Sequence, residues 1–282
     1  MNTLKVWILM AGLTVLLVLI GNALLGQQGA FIFLLIALAM NFVSYYYSDK
    51  IAIAATGSRP LPPEEAPEIH AIVEELSYRA GLPKPRVYYT PSPQPNAFAT
   101  GRNPANAAVA VTDGLVRLLN RTEIEGVLAH ELAHIKNRDT LIATIAAALA
   151  GAITWIAHIA QWGMIFGTGR GDEENSPAGL VGSLLMIILA PIAAMLIQLA
   201  ISRAREFQAD ATGAQIAGRA DGLANALLKL EAAAQRIPMH VNPATSHLFI
   251  VNPLSAESVA RLFATHPPIR ERVERLRRLM PF

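Results

Sequence analysis

Apolar residues fall into two kinds of pattern along this chain. Four stretches, Val6–Leu25, Ala30–Tyr47, Leu141–Phe166 and Ala178–Ile201, contain no Asp, Glu, Lys or Arg and are apolar on every face. At 1.5 Å rise per residue, about 20 such residues cross the ~30 Å hydrocarbon core of a bilayer, so each predicts a membrane-spanning helix. Gly26-Gln27-Gln28-Gly29 separates the first two and predicts a tight turn between antiparallel spans. Tyr45, Tyr46 and Tyr47 form an aromatic anchor at the end of the second, and Pro191 predicts a kink in the fourth. The unbroken apolar run of Val6–Leu25 is longer than the 7–15 residues of a cleaved leader, which favours an anchor.

Elsewhere the pattern is one-sided. Ile69, Ile72, Val73 and Leu76 follow the i, i+3, i+4, i+7 spacing of an amphipathic helix over Glu68–Ala80, which Gly81 and Pro83 end. Thr56–Pro67 reads as an extended linker. Arg86–Thr90 and Ala107–Val111 read as short strands, separated by an irregular, proline- and asparagine-rich Pro91–Asn106. Thr112 is placed to cap a short helix through Val116 and Leu119. Thr122-Glu123-Ile124-Glu125 matches a capping box and predicts a helix from there through residue 136. Arg203–Ala217, Gly222–Ala234 and Ile269–Leu279 read as further helices, with an irregular Pro238–Pro253 between the last two.

Composition sharpens this picture. The 282 residues are 53% hydrophobic and only 16% charged, against about 25% charged in soluble domains. The absence of cysteine excludes disulfide staples and thiolate metal sites, so any metal must use histidine and carboxylates. A net charge of +2 gives no footprint for nucleic acid. With four spans, 22 of the 23 Lys and Arg fall on one side of the membrane and Arg170 alone on the other. The positive-inside rule makes the richer side, with both termini, cytoplasmic. The chain then divides into a membrane hairpin (1–48), a first cytoplasmic part (49–139), a second hairpin (140–201) and a second cytoplasmic part (202–282).

The chemistry concentrates in His130-Glu131-Leu132-Ala133-His134. On a helix, residues i and i+4 share a face, so two imidazoles can hold one zinc ion, and the glutamate between them can take a proton from water. A catalytic zinc takes three protein ligands, and the extended motif fails because Asn137 and Thr140 stand where glycine and a third histidine would be. His134 precedes the third span by seven residues and Glu206 follows the fourth by five, so a hairpin of those spans brings the two together at the membrane surface. That topology leaves Glu206 as third ligand or as a surface ion pair with Arg203 or Arg205. Asp210, one helical turn beyond Glu206, can accept the outer N–H of a ligand histidine.

The motif running into Ile135-Lys136-Asn137-Arg138-Asp139, the Glu206–Asp210 pair, the stretch Asn96-Ala97-Phe98-Ala99-Thr100-Gly101 and four spans together resemble the HtpX membrane metalloproteases, relatives of the prenyl-protein (CAAX) endoproteases. The resemblance implies a mainly α integral membrane protein whose cytoplasmic domain is an α+β zincin-like (gluzincin) protease with a small sheet. It implies one Zn²⁺ on His130, His134 and Glu206, with Glu131 as catalytic base. It also implies substrate contacts from His266 and Arg272 in the stretch His266–Arg272, and from Asn96. Damaged or misfolded membrane proteins would be the substrates, at the bacterial cytoplasmic membrane. Two other readings compete. A site-2-type intramembrane zinc protease would bury the motif in hydrocarbon, whereas Glu123, Glu125, Lys136, Arg138 and Asp139 surround it here. A non-enzymatic transporter or scaffold needs polar groups at mid-membrane, where the spans offer little beyond Asn22, His158 and Gln198.

Overall fold

The computed structural model describes residues 2–146, 203–234, 236–237, 248–250 and 267–279. The fourth predicted span, all of the third beyond residue 146, His158, His266 and most of Pro238–Pro253 lie outside the described residues.

The chain opens with α1 (Asn2–Tyr46), broken at Gly26, whose φ of 63° and ψ of −151° are open to glycine and strained for other residues. The break folds α1 into a hairpin, as the glycine-flanked turn predicts. Trp7 stacks on Tyr45, with ring centroids 6.3 Å apart, and Asn41 Nδ2 donates to Met10 O and Thr14 Oγ1 at 3.2 and 2.8 Å. Near the turn, a Cβ on Gly21 would strike the backbone of Gly29, so the arms cross on small residues. Leu4–Asn22 and Leu25–Tyr46 are long and apolar enough to cross a membrane. Trp7, Ile8, Val15, Leu19, Phe31 and Leu35 turn outward, an apolar exterior that suits lipid rather than water.

α2 (Ser48–Ala55) leads into a four-stranded mixed sheet in the order β1-β2-β4-β3. β1 (Arg59–Pro60) pairs antiparallel with β2 (Arg86–Thr90), β2 parallel with β4 (Ala108–Thr112), and β4 antiparallel with β3 (Ala97–Thr100). β1 lies in the stretch read as linker, and β3 in the stretch read as irregular. β3 is the edge strand nearest the functional site. Between β1 and β2, α3 (Pro67–Ala80) starts on Pro67 and ends at Gly81, whose φ of 68° closes the turn. α4 (Asp113–Leu118) is capped as expected, Thr112 Oγ1 accepting Leu115 N.

α5 (Arg121–Lys136) begins two residues earlier than the Thr122 capping box allows. Asn120 is the cap: its Oδ1 accepts Glu123 N at 3.0 Å, and Glu123 Oε2 returns a bond to Asn120 N at 2.9 Å. Asparagine caps as well as threonine, and the Asn120–Glu123 spacing closes the reciprocal pair. α6 (Arg203–Ala217), α7 (Asp221–Ala234) and α8 (Ile269–Leu279) complete the described helices. One core joins α3, the Ala97/Ala99/Val109/Val111 face of the sheet, and α5 to α8. Helix α5 runs through its centre. Two glycine contacts set how closely neighbours approach it: a Cβ on Gly126 would strike Leu223 N of α7, and one on Gly213 of α6 would come within 3.0 Å of the His130 backbone.

Candidate metal centre

His130 and His134 stand one turn apart on α5, and Glu206 reaches them from the first turn of α6. His130 Nε2 and His134 Nε2 are 3.2 Å apart, His130 Nε2 lies 3.7 Å from Glu206 Oε2, and His134 Nε2 lies 3.6 Å from Glu206 Oε1. Four ligands held tetrahedrally at about 2.1 Å from a zinc ion are separated by about 3.4 Å. The three side chains therefore already have the spacing a tetrahedral ion requires, and they form a group able to hold one.

The outer nitrogens of the histidines are both anchored. His130 Nδ1 lies 3.0 Å from Asp210 Oδ1, and His134 Nδ1 lies 3.2 Å from Asp139 Oδ2, so each imidazole can present Nε2 inward. Asp139 gets there through the end of α5. Asp139 N donates to His134 O at 2.9 Å and Arg138 N to Ile135 O at 3.2 Å, with Arg138 at φ 58°, the one positive-φ residue other than glycine among those described. This is a Schellman turn carried by arginine where glycine is usual, and it folds Asp139 back beneath the histidine it orients. The sequence reading did not assign Asp139 this role. Its only local signal was an acidic residue just past the helix end.

Asp210 is itself held by Arg272 of α8. Arg272 Nε and Nη2 donate to its two oxygens at 2.9 and 2.7 Å, while Nη1 donates to Ile250 O at 3.3 Å. Arg272 is 0% exposed, its Nη2 lies against the His130 ring at 3.4 Å from Nε2 and 3.5 Å from Nδ1, and its Nη1 is 3.9 Å from Glu206 Oε2. The structure thus brings Arg272 into the site as a buried brace of Asp210, alongside His130 and Glu206. Asn96, also 0% exposed, sits at the start of β3, its N donating to Thr112 Oγ1 and its Oδ1 accepting Ala97 N. Neither residue presents an open face, and His266 lies outside the described residues.

Burial and charge give these groups distinct acidities. Burial pushes His130 down to about 4, helped by Arg272 and His134 and opposed by Asp210. Burial alone would raise Asp210, but Arg272 outweighs it and holds the carboxyl down at about 2. For His134 the order reverses: burial disfavours its cation, yet Glu206 and Asp139 together raise it to about 9. Glu206 and Asp139 make this corner attractive to positive charge. Glu131, 2% exposed, is pushed up to about 7, chiefly by burial, with Glu206 adding and with His134 and the Ala99 N–H opposing.

A membrane-anchored helical protein with a small mixed sheet and a buried His–His–Glu cluster on adjoining helices belongs to the class of metalloproteases. The comparisons with known proteins agree. A model for the family described as Peptidase family M48 matches residues 63–280. A protein named Protease HtpX homolog from Pelotomaculum thermopropionicum is 67% identical, covering 98% of both chains. One of the same name from Desulfatibacillum aliphaticivorans is 56% identical over 98% of this chain and 89% of its own. Among solved structures, S. mikatae Ste24p superposes with a TM-score of 0.52 at 21% identity, covering 98% of this chain, which spans 64% of that protein. The chain belongs to peptidase family M48, and it is a membrane-bound metalloprotease of the HtpX type.

Proposed function

We propose that the protein is a zinc-dependent endopeptidase that hydrolyses peptide bonds in damaged or misfolded membrane proteins, with Glu131 as base and His130, His134 and Glu206 as metal ligands. The observation that carries this is the convergence of two Nε2 atoms and a carboxylate at 3.2–3.7 Å, each imidazole backed by its own aspartate. Two imidazoles and one carboxylate suit zinc, and a zinc ion bound there would supply Lewis acidity, lowering the pKa of water and polarising a peptide carbonyl.

The chain's own residues do the rest. Glu131 lies one residue from His130 on the same helix, too far round to be a third ligand of the pair but beside it. Its buried carboxyl stands beside the proposed ligands, placed to accept the proton that water loses and pass it to the departing amine. Asp210 and Asp139 keep the histidine Nδ1 protons in place, and Arg272 holds Asp210 ionised. An extended substrate pairs through its backbone with the outer edge of β3.

Four spans, cytoplasmic termini and a cytoplasmic catalytic domain assembled from both halves of the chain complete this reading. Its support is the distribution of basic residues and the packing of residues 141–146 on the first arm of α1 through Leu141, Ile142 and Ile145. The motif helix shares one core with a sheet and with α3, α6, α7 and α8, which favours this over an intramembrane site-2-type protease. Metal analysis of the purified protein, with cleavage of an unfolded test protein in detergent with and without chelator, tests the proposal. One zinc per chain and chelator-sensitive cleavage are expected.

A further inference from the structure

The outer edge of β3 is occupied by the protein's own chain. On the inner side Thr112 N donates to Asn96 O, so in the antiparallel pairing the next residue, Ala97, and then Ala99 turn their backbone groups outward. The Ala99 N–H serves the Glu131 carboxylate. The Ala97 carbonyl accepts Ile250 N at 3.1 Å.

Side chains around that bond fall on both faces of the sheet. Ile250 joins the core that contains Ala97, Ala99 and the apolar residues of α5. Phe249 crosses to the opposite face, where it is 0% exposed against Phe98, ring centroids 5.2 Å apart at 68°, with Ala52, Ala110 and Leu248. The Ile250 carbonyl accepts Arg272 Nη1. Phe249–Ile250 therefore lies between the strand that contacts the proposed base and the arginine that braces a proposed ligand.

We propose that Phe249–Ile250 fills a substrate subsite: the pocket on Phe98 takes a large apolar, above all aromatic, side chain of an extended substrate, whose backbone replaces Ile250 on the Ala97 carbonyl. This rests on the proteolytic reading above. The internal dipeptide then acts as a competitor that every substrate must displace. Folded proteins keep their large apolar side chains buried and have nothing to offer the pocket, whereas unfolded segments expose them. Selectivity for damaged protein follows from one occupied site.

Hydrogen exchange on the full-length, zinc-loaded Glu131→Gln protein in detergent tests this, using two extended peptides identical except for Phe or Asp at one position. The Phe peptide should bind at least about tenfold more tightly, and the Ile250 amide should lose protection when it does. Equal binding of the two peptides, or an Ile250 amide still protected with the Phe peptide bound, overturns the subsite. Phe249→Ala should lower KM for the Phe peptide about tenfold while changing kcat little, because an occupied fraction no longer has to open. An unchanged or raised KM in a folded, zinc-retaining variant also overturns it. The exchange measurement decides the matter without that variant if Phe249→Ala does not fold. Cleavage of an unfolded protein by the unsubstituted enzyme is followed in parallel: its absence sinks the proteolytic reading, whereas cleavage with Ile250 undisturbed sinks the subsite alone.

Discussion

Replacing Arg272 by leucine isolates the brace at the candidate metal centre. The guanidinium is completely buried and makes two charge-assisted hydrogen bonds to Asp210, at 2.9 and 2.7 Å. Without it, Asp210 remains buried with only the uncharged His130 imidazole beside it, at 3.0 Å. Stranding one member of a buried pair costs about 3–5 kcal/mol, a large share of the ~5–15 kcal/mol that holds a domain folded. At roughly 2–4 °C per kcal/mol for a domain of this size, Tm should fall by about 6–20 °C. Arg272→Lys keeps the charge but not the fork, and should fall between the two. In the double variant Arg272→Leu with Asp210→Asn no charge is stranded, so much of the loss should return.

The pH dependence has a definite sign. Asp210 is held at about 2, below its unfolded value near 3.9, so its contribution is present above pH ~4 and disappears as pH falls toward 2. In Arg272→Leu the carboxyl loses the partner that depresses it. The gap in Tm between variant and parent should therefore narrow as pH drops from 7 to 5 and the stranded Asp210 takes up a proton. Thermal unfolding of the four proteins in detergent, across that range, measures this. A single variant within about 1 °C of the parent, or a double variant no better than the single, refutes the brace.

Three further outcomes are expected. Asn120→Ala removes the Oδ1 that accepts Glu123 N at the start of α5, leaving the backbone N–H of residue 120 still able to donate to Glu123, and should cost about 0.5–2 kcal/mol, read as a Tm drop of a few degrees with metal affinity little altered. Gly126→Ala adds a methyl where the α7 backbone stands; the gain of up to about 1 kcal/mol in helix propensity should be outweighed by overpacking of about 1–3 kcal/mol, so a rise in Tm would contradict the α5–α7 contact. Reporter fusions at Arg170 and Phe282 should report opposite sides of the membrane, and finding both on one side defeats the four-span topology.

Legibility in the sequence followed the range over which each feature is determined. Helix α3 was readable within a residue because a repeating apolar face and the Gly81 stop are local signals, and the reading also placed α6, α7 and α8 within a residue. The cap of α5 was misplaced because two overlapping windows both fit a capping box, and only the Asn120–Glu123 bonds choose between them. β3 escaped because four residues between a proline-rich turn and a glycine carry too little pattern, and pairing with β4 is what makes them a strand. The histidine pair was visible from spacing alone, and Glu206 from the topology of two spans. The support behind them was not. Asp139 is delivered by an arginine in a left-handed conformation, and Arg272 arrives from 62 residues beyond Asp210, through packing that no local pattern encodes.

The central claim assigns different tasks to two glutamates, and zinc stoichiometry by mass spectrometry, measured beside cleavage rate for Glu131→Gln and Glu206→Gln, tests it most directly. Glu131→Gln should keep one zinc per chain and lose about 10²–10⁴-fold in turnover, the usual contribution of a general base. Glu206→Gln should lose zinc and activity together, with partial recovery in excess zinc that the Glu131 variant does not share. A Glu206→Gln protein that binds zinc as tightly as the parent and still cleaves, or a Glu131→Gln protein that turns over at the parental rate, would contradict the assignment.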